Sequence, residues 1–373
     1  MCIRDSTCIA LRGQPSDYDE WASLGLPEWS WAHCLPAFKK LEHDLDVRNE
    51  WHGQDGPLPI RRHGPGELTA WQAAFLEGCE ALGFSRCADT NDPTSTGHGA
   101  HAMNLLDGER VSAARAYLTP EVRARENLTI RADTLVRRVV IRNRRVEALE
   151  IESAGRIEVV PARRVVLCAG AVASPGILLR SGVGPRDAVE RLGVPFVADV
   201  PAIGKRMLDH FGALIVLAPR PGACSVDTPL LQTCLRYTSE GSETANDVMV
   251  QPGSFLQLPS SVVPLFTLMV CVGKPRGHST LTFSSTDPHV APKIMGRVLA
   301  HEDDRARAVD GLEIALRCAS SRAMAGLGDF LWPRRSVLAN GASLDEWIAG
   351  ASGSAFHLCG TVPMGPELSL IHI

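Results

Sequence analysis

From Ser30 to Glu42 apolar residues recur at helical spacing, with Trp31, Leu35, Phe38 and Leu41 on one face, and this predicts a helix. A second helix is expected from Glu67 to Leu82, where Gly83 stops it. Residues 51–66 carry Gly53, Gly56, Pro57, Pro59, Gly64, Pro65 and Gly66, so a loop-rich crossing precedes that helix. From Asn127 the period changes. Leu128–Ala132, Leu135–Arg142, Val146–Ser153 and Ile157–Pro161 alternate or run apolar between short polar turns, which predicts successive β-strands. Arg164–Leu167 is a further β-branched run that passes through Cys168, Ala169, Gly170 and Ala171 into a helical stretch starting near Ser174-Pro175. This is a strand–glycine turn–helix unit of the doubly wound kind. Strand-like pieces follow at 247–256, 262–272 and 279–285. A helix is expected at 302–320, with Asp303 and Asp304 in its first turn. The alternation predicts an α/β chain, α+β overall.

Composition narrows the function classes. The chain has 373 residues, 45% of them hydrophobic, enough for a large core in one or two domains. A formal net charge of −4 with 21% charged residues argues against a nucleic-acid partner. The doublets Arg61-Arg62, Arg137-Arg138 and Arg163-Arg164 read as solvated faces. The 11 cysteines form no C-x-x-C pair and no cluster with histidine at zinc spacing, so no metal site is expected. They read as small buried apolar residues of a reducing compartment. The apolar run Leu258–Val272 is broken by Pro259, Ser260, Ser261 and Pro264, and is expected to be a buried strand; no integral membrane segment is expected.

Both ends are unusual. Met1–Ser6 and Leu368–Ile373 can be encoded by strings that, apart from the last base of each frame, are reverse complements of one another. Both strings resemble the transposase end used to prepare sequencing libraries. Residues 1–6 and 368–373 are therefore expected to be library scars, leaving Thr7–Glu367 as the native segment of a longer chain.

The strongest local signal runs from Gly170 through Ala171-Val172-Ala173-Ser174-Pro175-Gly176 to Ser181-Gly182-Val183-Gly184. A buried strand ending at Gly170 lets backbone approach a ligand, because glycine has no Cβ. Ser174 can cap the helix with Pro175 at its first position, and the free N–H groups there face an anion or dipole. A plain strand–turn–helix fits these residues as well.

Position for position, this stretch resembles the second signature of the glucose–methanol–choline (GMC) flavoenzymes, especially the choline-dehydrogenase branch. Further similar stretches follow the family's order: Arg12-Gly13 with Asp17-Tyr18-Asp19-x-Trp21 and Trp29-Ser30-Trp31, then Gly108-x-Arg110-x-Ser112-Ala113-Ala114-x-Ala116-Tyr117-Leu118 and Asn127-Leu128-Thr129. Gly204 with Asp209-His210, and Arg276-Gly277-His278-x-Thr280-Leu281 with Asp287-Pro288, continue the match. The resemblance implies an FAD-binding doubly wound domain, incomplete here, at 7–45 and 105–213. It implies a discontinuous substrate domain on an antiparallel sheet at 46–104 and 214–356, and the start of a C-terminal FAD and active-site segment at 357–367. Val136 matches the position whose backbone meets the adenine end of FAD, and Cys168, Ala169, Gly170 and Ser174 match the strand end and helix beside the dinucleotide.

His357-x-x-Gly360-Thr361-x-x-Met364-Gly365 carries the catalytic meaning. Oxidising an alcohol to an aldehyde or ketone sends a hydride to an acceptor and the hydroxyl proton to a base. Histidine suits the second task, since its pKa lies near neutrality. Alone, a histidine before Gly-Thr reads as a satisfied core or loop residue. The resemblance makes His357 the general base, with hydride passing to flavin N5, and Gly360 and Thr361 the turn whose backbone lies against the isoalloxazine. The His-Leu-Cys-Gly-Thr-x-Pro-Met-Gly form is similar to GMC dehydrogenases associated with the redox cofactor mycofactocin. The implied partners are a small-molecule alcohol and an electron acceptor: oxygen, a quinone or another carrier. The implied location is cytoplasmic, with a peripheral place at the inner membrane as the variant. Asp209-His210 reads as a polar interdomain hinge, and His98 and His101 as solvated surface histidines.

Two readings of other classes stand beside this one: a non-redox member such as a hydroxynitrile lyase, and a binding module in which His357 is incidental. The G-x-G-x-x-G turn for the FAD pyrophosphate, its ribose-binding acid and the partner of the catalytic histidine are all absent from the sequence. The chain by itself is accordingly expected to bind FAD poorly and to be inactive.

Overall fold

The amphipathic stretches of the first hundred residues are helices in the computed structural model, which describes residues 7–258, 260–296, 299–333, 346–348 and 350–365. Both terminal hexapeptides, Pro366 and Glu367 lie outside the described residues. Helix α1 (Trp31–Leu41) starts one residue after the expected Ser30, which stands at its N-cap position. Helix α2 (Ala70–Ala81) starts later than the periodicity predicts, because Pro65–Glu67 forms a 3-10 turn. Thr69 then caps the helix by accepting the Gln72 N–H at 3.3 Å.

Strand β1 (Gly97–Ala100) follows, and then β2 (Thr134–Arg142), β3 (Arg145–Ser153) and β4 (Arg156–Pro161) form an antiparallel meander. Two expected strands do not form. Leu128–Ala132 is irregular, and Asp133 at φ 49° turns the chain before β2 begins. Arg164–Leu167 is irregular too: no strand pairs with it among the described residues, and Val166 is 85% exposed. A strand is held by its neighbours, so an apolar β-branched run without one stays unpaired. Helix α3 (Gly170–Arg180) begins four residues before Ser174. Ser174 is therefore not its cap, and Pro175 sits inside the helix.

The largest layer is one sheet of β5 (Phe211–Pro219), β6 (Thr233–Tyr237), β7 (Val248–Gly253), β8 (Phe266–Val272), β9 (Gly328–Trp332) and β1. Its order is β9–β5–β8–β7–β6–β1 with every pair antiparallel. β10 (Ser352–Ser354) joins β5 at Phe211–Ala213, on the edge that β9 uses further along. The apolar run before Val272 is thus a buried strand only from Phe266, since Ser261–Val263 turns back in a separate hairpin.

Helix α4 (Glu302–Ala319) packs with α2 on this sheet. Trp71 stacks on Phe266 with centroids 4.3 Å apart, while Leu312 and Ala315 are fully buried. A Cβ on Gly311 would lie 2.5 Å from Val270 Cγ1 and 2.8 Å from Val248 Cγ1, so glycine sets how closely α4 approaches. A second cluster, built on Leu178, Leu179, Val183, Val189, Val200 and Ile203, anchors the end of α3. Among the described residues no helix is long and apolar enough to cross a membrane.

Candidate active site

The segment from Gly204 to His210 leads directly into β5 and is held from both sides. On one side Met207 and Ser279 exchange N–H···O bonds of 2.7 and 2.9 Å, and Leu281 N donates to Gly204 O at 2.8 Å. On the other, Ala355 N donates to His210 O at 2.9 Å, Leu208 and Cys359 exchange bonds of 2.9 and 3.0 Å, and Gly204 N donates to Thr361 O at 2.9 Å. The chain from β10 to Thr361 therefore prolongs the sheet edge. The ladder is not regular: Phe356, His357 and Leu358 stand opposite Asp209 alone. Extra residues in one strand must bulge outward, which re-aims their side chains.

Asp209 holds that bulge. Its carboxylate is 3% exposed; Oδ1 accepts the His357 backbone N–H at 2.8 Å and Oδ2 accepts the Ser354 hydroxyl. The Phe356 N–H donates to Ser354 Oγ at 2.9 Å, and Phe356 takes φ 61°, a left-handed conformation that branched or bulky residues rarely adopt. Gly360 at φ 78° ends the turn, and a Cβ there would lie 3.2 Å from Arg206 O. The outcome is an exposed His357 on a main chain fixed by a buried charge. His210 meets it edge to face, with ring centroids 5.1 Å apart at 77°. Burial and then the neighbouring His357 lower the His210 pKa, against a smaller opposing pull from Asp209, which favours neutral imidazole at position 210. Asp209-His210, expected to be a hinge, thus frames the candidate base.

Thr361, 2% exposed, ties this loop to α3: its hydroxyl donates to Ala171 O at 2.6 Å. Cys168, Ala169 and Gly170, at the start of α3, are exposed. No side chain caps the helix, and a Cβ on Gly170 (φ 80°) would point into open space. Free N–H groups at an open helix start suit an anionic or dipolar ligand. Ser174 is half-buried one turn further on. The far end of α3 meets β2, where Arg180 Nε donates to Arg137 O at 2.7 Å and Val139 N donates to Ser181 Oγ at 2.8 Å. The pairing of β2 slips between Val136 and Arg138, so half-buried Val136 stands at an irregular point of the meander. Helix α3 in this way connects the loop of Gly360 and Thr361 with the strand of Val136.

Other polar expectations change. His98 and His101 are buried, not solvated, at 4% and 0% exposure, and burial followed by Arg236 and His63 pushes His101 down to about 3. Arg62 is likewise buried, bonding Asp44 at 3.0 Å. Glu42, Asp44 and His52 bring ligand-type atoms within 4.8 Å of one another. Arg12, Arg62 and the His52 ring already hold those carboxylates together with Asp89, which reads as a charge-balanced ion-pair network.

The fold is that of a flavin-dependent oxidoreductase. The chain belongs to the GMC oxidoreductase family, whose N-terminal and C-terminal domain models match residues 6–212 and 275–369. It is 31% identical over 361 residues to an uncharacterized GMC-type oxidoreductase of Rhodococcus erythropolis, covering 96% of this chain and 69% of the relative. It is 31% identical over 387 residues to human mitochondrial choline dehydrogenase, covering 96% of this chain and 64% of that protein, in keeping with the choline-dehydrogenase-like signature. The structure resembles pyridoxine 4-oxidase from Mesorbium loti with a TM-score of 0.87 and 29% identity, covering 96% of this chain and 72% of the other. FAD, expected from the signature, is the cofactor of this family.

Proposed function

We propose that this chain carries the histidine loop and part of the flavin site of an FAD-dependent enzyme that oxidises an alcohol to an aldehyde or ketone. The observation that carries the reading is the bulge: an exposed imidazole whose own main chain is pinned by the buried Asp209. Bound FAD would supply the two-electron acceptor for the substrate hydride. The start of α3 at Cys168, Ala169 and Gly170, with Ser174, the Gly360–Thr361 turn and the backbone at Val136, would hold it.

His357 accepts the hydroxyl proton at a ring nitrogen as the carbon gives up its hydride. The edge of His210 limits where the His357 ring can turn, and two imidazoles this close resist carrying two positive charges. Pyridoxine 4-oxidase and choline dehydrogenase, by name, act on alcohols, which supports the donor class.

The test is flavin bleaching on adding alcohol without oxygen to the FAD-loaded full-length parent enzyme. His357→Ala should slow bleaching roughly 100- to 10,000-fold while FAD remains bound. Unchanged bleaching would remove His357 from the mechanism. Turnover without any bleaching would favour a lyase instead.

A further inference from the structure

Pro175 has no N–H, so it cannot donate to the carbonyl four residues earlier, that of Ala171. A helix interrupted in this way leaves a strong acceptor open in its first turn. That carbonyl is the one the Thr361 hydroxyl reaches, at 2.6 Å, from a side chain 2% exposed. Thr361 also accepts the Gly204 N–H at 2.9 Å through its own carbonyl. One residue thus joins the exposed start of α3 to the Gly204–His210 segment beside the candidate base. His357 lies four positions before it, across the Gly360 turn.

We propose that Thr361 is a positioning residue, a latch in which its hydroxyl replaces the helical donor that Pro175 removes and so sets the His357 loop at a fixed height against the start of α3. Its functional meaning rests on His357 being the base; the contact itself does not. Threonine suits the task because a branched side chain holds its hydroxyl in few rotamers. Valine has the same shape and no donor, so it takes the Thr361 hydroxyl away from the part-buried Ala171 carbonyl.

The experiment is a double-mutant cycle on the full chain, read by urea unfolding and joined to nitrogen NMR of the histidine rings. Thr361→Val should shift the unfolding midpoint down and move the His357 ring resonances. Thr361→Ser, which keeps the hydroxyl, should restore most of each signal. Pro175→Ala returns an N–H to the helix, so in that background Thr361→Val should cost clearly less. An equal cost in both backgrounds overturns the latch. Undisturbed His357 resonances in a folded Thr361→Val protein overturn its positioning role. Neither readout depends on turnover, so a failure of the proposed reaction would leave them interpretable and would show itself separately as undiminished bleaching in His357→Ala.

Discussion

Replacing His52 by glutamine should remove the central cation of a buried network, and the structure fixes both the size and the pH dependence of the loss. The imidazole side chain is fully buried, with Nδ1 2.9 Å from Asp44 and 3.0 Å from Glu42, and Nε2 2.8 Å from Asp89. Both nitrogens face carboxylates, so both must donate and the ring carries a charge. Burial alone would lower its pKa, but the bonds to Asp44, Asp89 and Glu42 overcome burial and raise it from 6.5 to about 10. At about 1.4 kcal/mol per unit that shift corresponds to about 5 kcal/mol, and breaking a buried pair typically costs about 3–5 kcal/mol, so a loss of about 4 kcal/mol is expected. Because the folded pKa lies above the unfolded one, the stabilisation is complete below the unfolded value of 6.5 and fades as pH rises through about 10. Urea unfolding of wild type and His52→Gln at about pH 6, 8 and 9.5 measures it. The gap between the two proteins should be widest at the lowest pH and close steadily toward the highest. Other groups that titrate in this range are common to both proteins and cancel in the difference. A gap that does not change with pH would refute the charged-histidine account.

Asp209→Ala should free the bulge by leaving the His357 N–H and the Ser354 hydroxyl without their acceptor. Hydrogen exchange across residues 354–358 should accelerate, and flavin bleaching should slow about 100-fold, the scale of a displaced catalytic group; unaltered exchange would count against Asp209 as the anchor. Gly311→Ala opposes two effects: helix propensity gains about 1 kcal/mol, while crowding in a filled core costs about 1–3 kcal/mol. With Val270 Cγ1 only 2.5 Å from the new carbon, crowding should win, and a raised urea midpoint would contradict the close approach of α4.

Short-range signals were legible wherever local chemistry decides the outcome. The spacing around Trp31 and Leu41, the acids opening α4 and the alternation of β2, β3 and β4 all gave their elements to within a few residues. The order of motifs gave the family, because a fifteen-residue signature holds more fixed positions than chance supplies.

What failed depended on partners distant in sequence. Arg164–Leu167 has the composition of a strand, but a strand is a pairing, and composition does not reveal whether a partner is there. Ser174-Pro175 reads as a helix start by its capping chemistry, yet the helix begins at Gly170, and the Ala171 carbonyl in its first turn accepts from the Thr361 hydroxyl 190 positions away. His98, His101 and Arg62 looked solvated because polarity is local, whereas burial is decided by what packs over them. His357 was named by its motif alone. Its setting was not: the bulge, the buried Asp209 beneath it and the edge of His210 exist only because residues 204–210 are clamped between two strands far from them in the chain. The sequence determined which side chains could do the chemistry, and tertiary pairing alone decided how they are held.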